Sequence, residues 1–442
     1  MSSTDANQLQ QLVSELLDEA KRQGASSAEA GVHAQQGLDV TVRLGETETI
    51  EHTNDHGLGV TVYFGQRKGS ANTTDLSPQA VKETVAAACR IAKYTSEDPA
   101  AGLADPELMA KNIPDLDLNH PWDIDALQAA DIARECEDAA RAHDPRINNS
   151  EGASLHTQNT LFVYGNSHGF VGGYPTTRHN LSCAVLAGEG DQMQRDYWYT
   201  SSRLPERLES AQQVGIKAAE RTVARLGSRK IKTTECPVLF NADLAPGLLR
   251  SMIGAIRGQA LYRKASFLLD QLGESIFPDW VQIDEDPHKL QGIASAPFDN
   301  EGVATTPRKL IDAGVLQGYV LDSYSARKLG MQTTGNAGGV RNARISSTGE
   351  SFEDLLKRLD TGLLVTEMMG HGSNQVTGDY SRGAAGFWVE NGEIVHPVEE
   401  ITVAGNLKEM YQGLLAVGSD NQIPGSIDTG SWLIERMTVA GD

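Results

Sequence analysis

The feature that most restricts the fold is a change of apolar period along the chain. Leu9, Leu12, Val13, Leu16, Leu17 and Ala20 recur every three or four residues, which puts them on one face of a helix. From Leu38 the period drops to two. Leu38, Val40, Val42 and Leu44 alternate with polar residues, and Leu58, Val60, Val62 and Phe64 repeat the pattern. A period of two sends successive side chains to opposite faces of a strand. It predicts half-buried antiparallel strands, with turns at Gly45 and near Asp55-His56-Gly57. Gly24 suits the residue just past the first helix. A second helix is expected from Ser77-Pro78, with Ser77 as cap and Pro78 at the first helical position.

The same order then returns. Residues 96–122 are polar and broken by Pro99, Pro106, Pro114 and Pro121, and read as a linker. A helix is expected from about Asp123 to His143. Strands follow near 160–164, 170–174, 181–186 and 197–200, and another helix from about Pro205 to Leu226. Helix, strands, helix thus occurs twice, with no repeat at the level of residues. The remainder begins with a strand at Pro237–Phe240 and a helix over Ala245–Ala260. A hairpin is expected to turn at Ala313-Gly314, and a short helix to be capped by Ser351. Asn391-Gly392 between apolar runs favours a tight hairpin turn. The expected class is α+β: antiparallel sheets with flanking helices in the N-terminal region, plus a strand-rich C-terminal domain. The expected divisions are 1–120, 121–232 (packed with the first) and 233–442.

With 442 residues, the chain is long enough to need no disulfide or structural metal for stability. Fifty-nine acidic against 38 basic residues give a net charge of −21, which disfavours direct nucleic-acid binding. No run of eighteen apolar residues suggests a membrane span. The opening Met1-Ser2-Ser3-Thr4-Asp5 lacks the basic and apolar regions of a secretory signal. Cys89, Cys136, Cys183 and Cys236 are too far apart for a metal knuckle. The cytoplasm is the expected compartment.

The motifs narrow the chemistry mainly by exclusion. No phosphate loop, Gly-x-Gly-x-x-Gly, Gly-x-Ser-x-Gly or His-Glu-x-x-His is present; Gly335-Asn336-Ala337-Gly338-Gly339 is glycine-rich without the right spacing. His52 and His56 have zinc spacing for a helix but lie in a strand-and-turn segment. His168 and His179 read as exposed turn histidines. Gly370, His371, Gly372 and Asn374 form a glycine-flanked polar stretch of the kind that lines a binding cleft, and are the expected peptide-groove residues.

One set of segments resembles the TldD/PmbA family. These are Gly292–Val303, Leu310–Tyr319, Ser325–Gly330 with Thr334-Gly335-Asn336, Glu390–Ile394 and Val403–Asn406. They span most of residues 237–442. Farther upstream, Asp55–Val60 is similar too. The resemblance implies a group of cytoplasmic peptidases with two related subunit types. The TldD type carries a His-Glu-x-x-x-His helix and a later cysteine that together hold zinc. The PmbA (TldE) type lacks them. In this chain Leu249 and Gly254 fall at the two histidine positions and Arg250 at the glutamate, and no cysteine follows Cys236. Leu and Gly offer no ligand atom and Arg repels a cation. The resemblance is therefore to the PmbA type.

It implies no catalytic residue and no metal or cofactor in this chain, zinc being held by a TldD-type partner in a heterodimer. It also implies a homodimer when the chain is alone, and unfolded peptides as substrates. Two other readings stay open: a peptidase using its own unrecognised metal site, and a non-catalytic regulatory or binding protein, as in the family's "modulator of gyrase" label.

Overall fold

The computed structural model describes residues 3–421 and 425–441. Helix α1 (Ser3–Arg22) leads into β1 (Ser27–Arg43), β2 (Glu46–Phe64) and β3 (Arg67–Thr73), then α2 (Pro78–Tyr94). After residues 95–125 come α3 (Ala126–His143), β4 (Ile147–Asn166), β5 (Val171–Ala187), β6 (Gln194–Ser202) and α4 (Ala211–Ala224). The six strands form one antiparallel sheet in the order β3-β2-β1-β4-β5-β6. The two expected helix-strand-helix stretches therefore share a single sheet, joined where β1 pairs with β4.

The apolar period explains which face is covered. On β1, Ala28, Ala30 and Val32 pack with α1 and α2, and Leu38, Val40 and Val42 pack with α3 and α4. All are even-numbered, so the four helices lie on one face and the odd-numbered residues point the other way. The helix caps follow the sequence. Ser77 Oγ accepts from Ala80 N, and Asp125 and Ser210 form capping boxes with Gln128 and Gln213.

The C-terminal part opens with β7 (Thr234–Phe240), α5 (Ala245–Ala255) and α6 (Gly258–Tyr262). Then come β8 (Ile283–Glu285), β9 (Arg308–Asp312), β10 (Val315–Leu316), α7 (Ser323–Lys328), β11 (Ala343–Ile345) and α8 (Phe352–Leu359). It closes with β12 (Gly362–Met369), β13 (Asp379–Glu390), β14 (Glu393–Asn406), α9 (Leu407–Gln412), β15 (Leu414–Val417), β16 (Ile427–Asp428) and β17 (Trp432–Ala440). One sheet runs β14-β13-β12-β7-β17-β15, and an added β14–β17 pairing closes it into a barrel-like form. A smaller sheet runs β10-β9-β8-β11-β16. The α+β class with a strand-rich C-terminal part is as the sequence implies.

Several local expectations need correction. No turn occurs at Asp55-His56-Gly57. β2 runs straight through, pairing Gln35 with Asp55 and His33 with Gly57. Gly57 is there because a Cβ would come within 2.7 Å of the His33 ring. The expected 245–260 helix breaks at Ile256-Arg257, where Arg257 turns extended. The helix expected from Pro205 starts at Ala211, after a short 3-10 turn. Residues 96–122 are no loose linker: Leu103, Met109, Leu116 and Leu118 are buried, and Arg327 donates to the carbonyls of Ala100 and Gly102.

Candidate functional site

The uncovered face of the N-terminal sheet meets loops of the C-terminal part. The buried Arg203 fastens the two: Nε donates to Gly292 O at 2.9 Å, Nη1 to Thr177 O at 3.1 Å and Nη2 to Ile293 O at 2.8 Å. Phe298 stacks edge-on against Phe170 and Tyr174 from the sheet. Beside this seam lies a cleft of about 610 Å³. The sheet contributes Glu29, Gly31, Gly59, Tyr63 and Tyr164 to it. The C-terminal part contributes Asn300, Glu301, Asp322 and Tyr324, the last from the first turn of α7, with Ala337-Gly338 from the glycine-rich segment.

The carboxylates are held in place. Tyr63 OH donates to Glu29 Oε1 and Tyr164 OH to Glu29 Oε2, both at 2.9 Å. Burial, then the Glu29 charge, drives both phenol pKa values well above the ordinary tyrosine range, so they stay donors. Ser323 N donates to Glu301 Oε2 at 3.0 Å. Burial, reinforced by Asp299 and Asp322, pushes the Glu301 carboxyl up to about 7. Asp299 accepts from the backbone of Glu301, Val303 and Ala337, yet burial still pushes it up to about 6. Of the two, Glu301 lines the cleft, and a carboxyl so perturbed there marks a site able to hold or move charge.

The sequence-expected groove residues lie elsewhere. Gly370, His371, Gly372 and Asn374 form the connection from β12 to β13, and none lines the cleft. His371 is exposed. Asn374 Oδ1 accepts from Val376 N and Thr377 N, shaping the turn. At Gly372 a Cβ would sit 1.7 Å from Ser381 O, so packing alone requires the glycine. The next residue, Gln375, lays its amide against Gly254 of α5, and Gln375 O accepts from Phe267 N.

That contact bears on the zinc the family implies. Leu248, Leu249 and Met252 of α5 are sealed in the core, and Gly254 is covered by the Gln375 amide. An aliphatic side chain, a guanidinium and a glycine do not fit a zinc ion. Among the described residues no three His, Cys, Asp or Glu side chains converge as a metal set anywhere. His52 and His56 are exposed on β2, and four steps along a strand set them roughly 13 Å apart. His168 is exposed in a turn, but His179 is fully buried, which corrects its reading as a turn residue. Its ring bonds Thr157 Oγ1 at 2.8 Å and His120 O at 3.0 Å, and burial lowers its pKa.

Sequence reasoning missed Glu29, Tyr63 and Tyr164. The available signal was parity: they sit at odd positions of strands whose even positions are apolar, or the reverse on β4. Glu301 was inside a quoted family segment, but nothing local singled it out.

No helix among the described residues is long and apolar enough to cross a membrane. Three family models match the chain: the PmbA/TldA metallopeptidase domain 1 over residues 28–92, central domain over 119–226 and C-terminal domain over 233–441. The chain is 50% identical to Metalloprotease PmbA of Escherichia coli O157:H7 over 433 residues, 98% of this chain and 96% of that one. It is 49% identical to the Metalloprotease PmbA homolog of Haemophilus influenzae over 437 residues, again 98% and 96%. A solved gyrase-modulator candidate from Bacteroides thetaiotaomicron superposes with a TM-score of 0.93 at 29% identity, covering 98% of each chain. With all three domains matched in order and a relative half identical along nearly its whole length, the chain belongs to the PmbA/TldD metallopeptidase family, on its PmbA side.

Proposed function

We propose that this chain is the PmbA/TldE-type subunit of a cytoplasmic zinc peptidase complex that degrades or processes unfolded peptides, the zinc being held by a TldD-type partner. One observation carries the reading. The relatives are named metalloproteases, while α5 here presents Leu249 packed in the core, Arg250 exposed and Gly254 under the Gln375 amide in place of ligands. A chain that keeps the architecture without the ligands is of use to a peptidase mainly by completing another subunit. Related subunits favour a pseudo-twofold pairing through equivalent surfaces, on the order of 2,000 Å² for an obligate interface. The same surfaces support a homodimer when the chain is alone. In this reading the exposed His371 loop, with Gly370, Gly372 and Asn374, edges the groove that receives an extended peptide.

The test mixes the chain with its cognate TldD-type protein, followed by size-exclusion chromatography, zinc analysis and a peptidase assay on unstructured peptides. Activity and about one zinc per heterodimer are expected only in the mixture. His371→Ala should lower that activity at least several-fold without moving the thermal midpoint. Failure to associate, or full activity of the chain alone, overturns the subunit reading.

A further inference from the structure

The cleft between the sheet and the C-terminal loops shows no metal-type cluster of side chains among the described residues, and its walls describe a different ligand. Its floor is bare. Gly31 and Gly59 are direct partners on β1 and β2, and a Cβ on Gly59 would meet nothing within 4 Å. Glycine weakens a strand interior, and its use there marks a place where another backbone or a ligand comes close. Among the described residues no atom comes within 4 Å of that Cβ position, which leaves room for a ligand.

The walls set its chemistry. Phe162, Tyr164, Tyr174 and Tyr324 bring ring surface to the cleft. Glu29 comes from the sheet, and Glu301 and Asp322 from the loops, so carboxylates enter from both halves of the molecule. Lys68, exposed at the mouth, is the one basic residue of the lining. Arg327 is turned toward the carbonyls of Ala100 and Gly102, and Arg341 toward Asn300 Oδ1 and Ala337 O. The excess charge is negative and repels a carboxylate or phosphate. The groups do not form a metal set. What fits is a compact organic cation: an ammonium has three donors for carboxylate oxygens, and its methylene stem can lie along rings and bare backbone.

We propose that this cleft binds a primary alkylammonium group, its charge shared by Glu29, Glu301 and Asp322 and its stem lying over Gly59 beside the Phe162 ring. The group could belong to a lysine side chain or to a free diamine, and the experiment separates the two. The measurement is calorimetric titration of the purified full-length chain. The probes are 1,5-diaminopentane, a capped Ala-Lys-Ala peptide and the same peptide with norleucine for lysine.

Saturable binding is expected for one or both cations, with the norleucine peptide at least about tenfold weaker, a factor worth roughly 1.4 kcal/mol. The tighter of the two cations identifies the source. Glu29→Gln and Glu301→Gln should each weaken binding by about tenfold. Gly59→Val should abolish it by filling the floor, while circular dichroism and the thermal midpoint show the fold retained. Equal binding of the norleucine peptide, no loss in the Glu29→Gln/Glu301→Gln double variant, or no binding of either cation at millimolar concentration overturns the proposal. The chain is tested alone, so the outcome does not depend on whether a second subunit supplies zinc.

Discussion

Around α5, Leu248, Leu249 and Met252 are closed into the core, and the Gln375 amide covers Gly254. In the cleft, Gly59 leaves the sheet bare beside three carboxylates and several aromatic rings. The first region lies where the resemblance places metal ligands, and here it is apolar and filled. The second is lined partly by segments that carry the resemblance, Gly59 and Asn300-Glu301 among them, and it is polar and open. Apolar packing stabilises the fold wherever it occurs. Buried carboxyls beside an unfilled floor cost stability and persist where something else uses them. Stability and ligand chemistry are thus separated in space, and substitutions in the two regions should behave differently.

The largest effect is expected at α5. Leu249→Ala removes a fully buried side chain from the core and should cost about 2–5 kcal/mol, measured by denaturant unfolding. A cost under about 1 kcal/mol would mean that α5 is not the packed element described, and would erase the contrast.

The second effect is a pH dependence arising in the cleft. Burial holds the Glu301 carboxyl at about 7, above its ordinary value of 4.5. A carboxyl with a raised folded-state pKa favours folding while it is protonated. Its contribution is complete below the unfolded value and is lost as pH rises through about 7. The loss from this group is at most about 3 kcal/mol. Glu301→Gln keeps the shape without the charge. It should remove this part of the slope between pH 5 and 8 and leave the variant the more stable protein at pH 8. An unchanged slope would show that Glu301 titrates as an ordinary exposed acid.

The smallest effect is at Gly59. Gly59→Ala adds a methyl group into open space at a strand position without positive φ, so it should be neutral or stabilise by up to about 1 kcal/mol. A clear destabilisation would mean that the floor is packed, and would sharpen the comparison toward two filled regions.

Much of the framework could be read from residue pattern. The apolar period of three to four set α1, and the period of two set which residues of β1 and β2 face the helices. Ser77-Pro78 fixed the start of α2. Asn391-Gly392 turned its hairpin with φ of 53° and 75°, because a two-residue turn between twisted strands needs both values positive. The missing zinc ligands were also a matter of residue identity, since no fold gives leucine or glycine a ligand atom.

Tertiary structure decided what depended on distant partners. The segment 54–57 has turn-like composition, yet pairing with β1 satisfies its backbone and keeps it extended. His179 resembles any polar strand-end residue until Thr157 and His120 close around it. Gly372 reads in sequence only as a glycine beside His371, and the folded strands bring Ser381 O to 1.7 Å from where its Cβ would be. Glu29 and Glu301 stand 272 positions apart in sequence. They share a cleft only because the sheet's uncovered face meets the C-terminal loops, and no local pattern encodes that meeting. Local rules fix period, caps and turns, because those depend on neighbours in sequence; a site assembled across two halves of a chain depends on packing that only the folded molecule supplies.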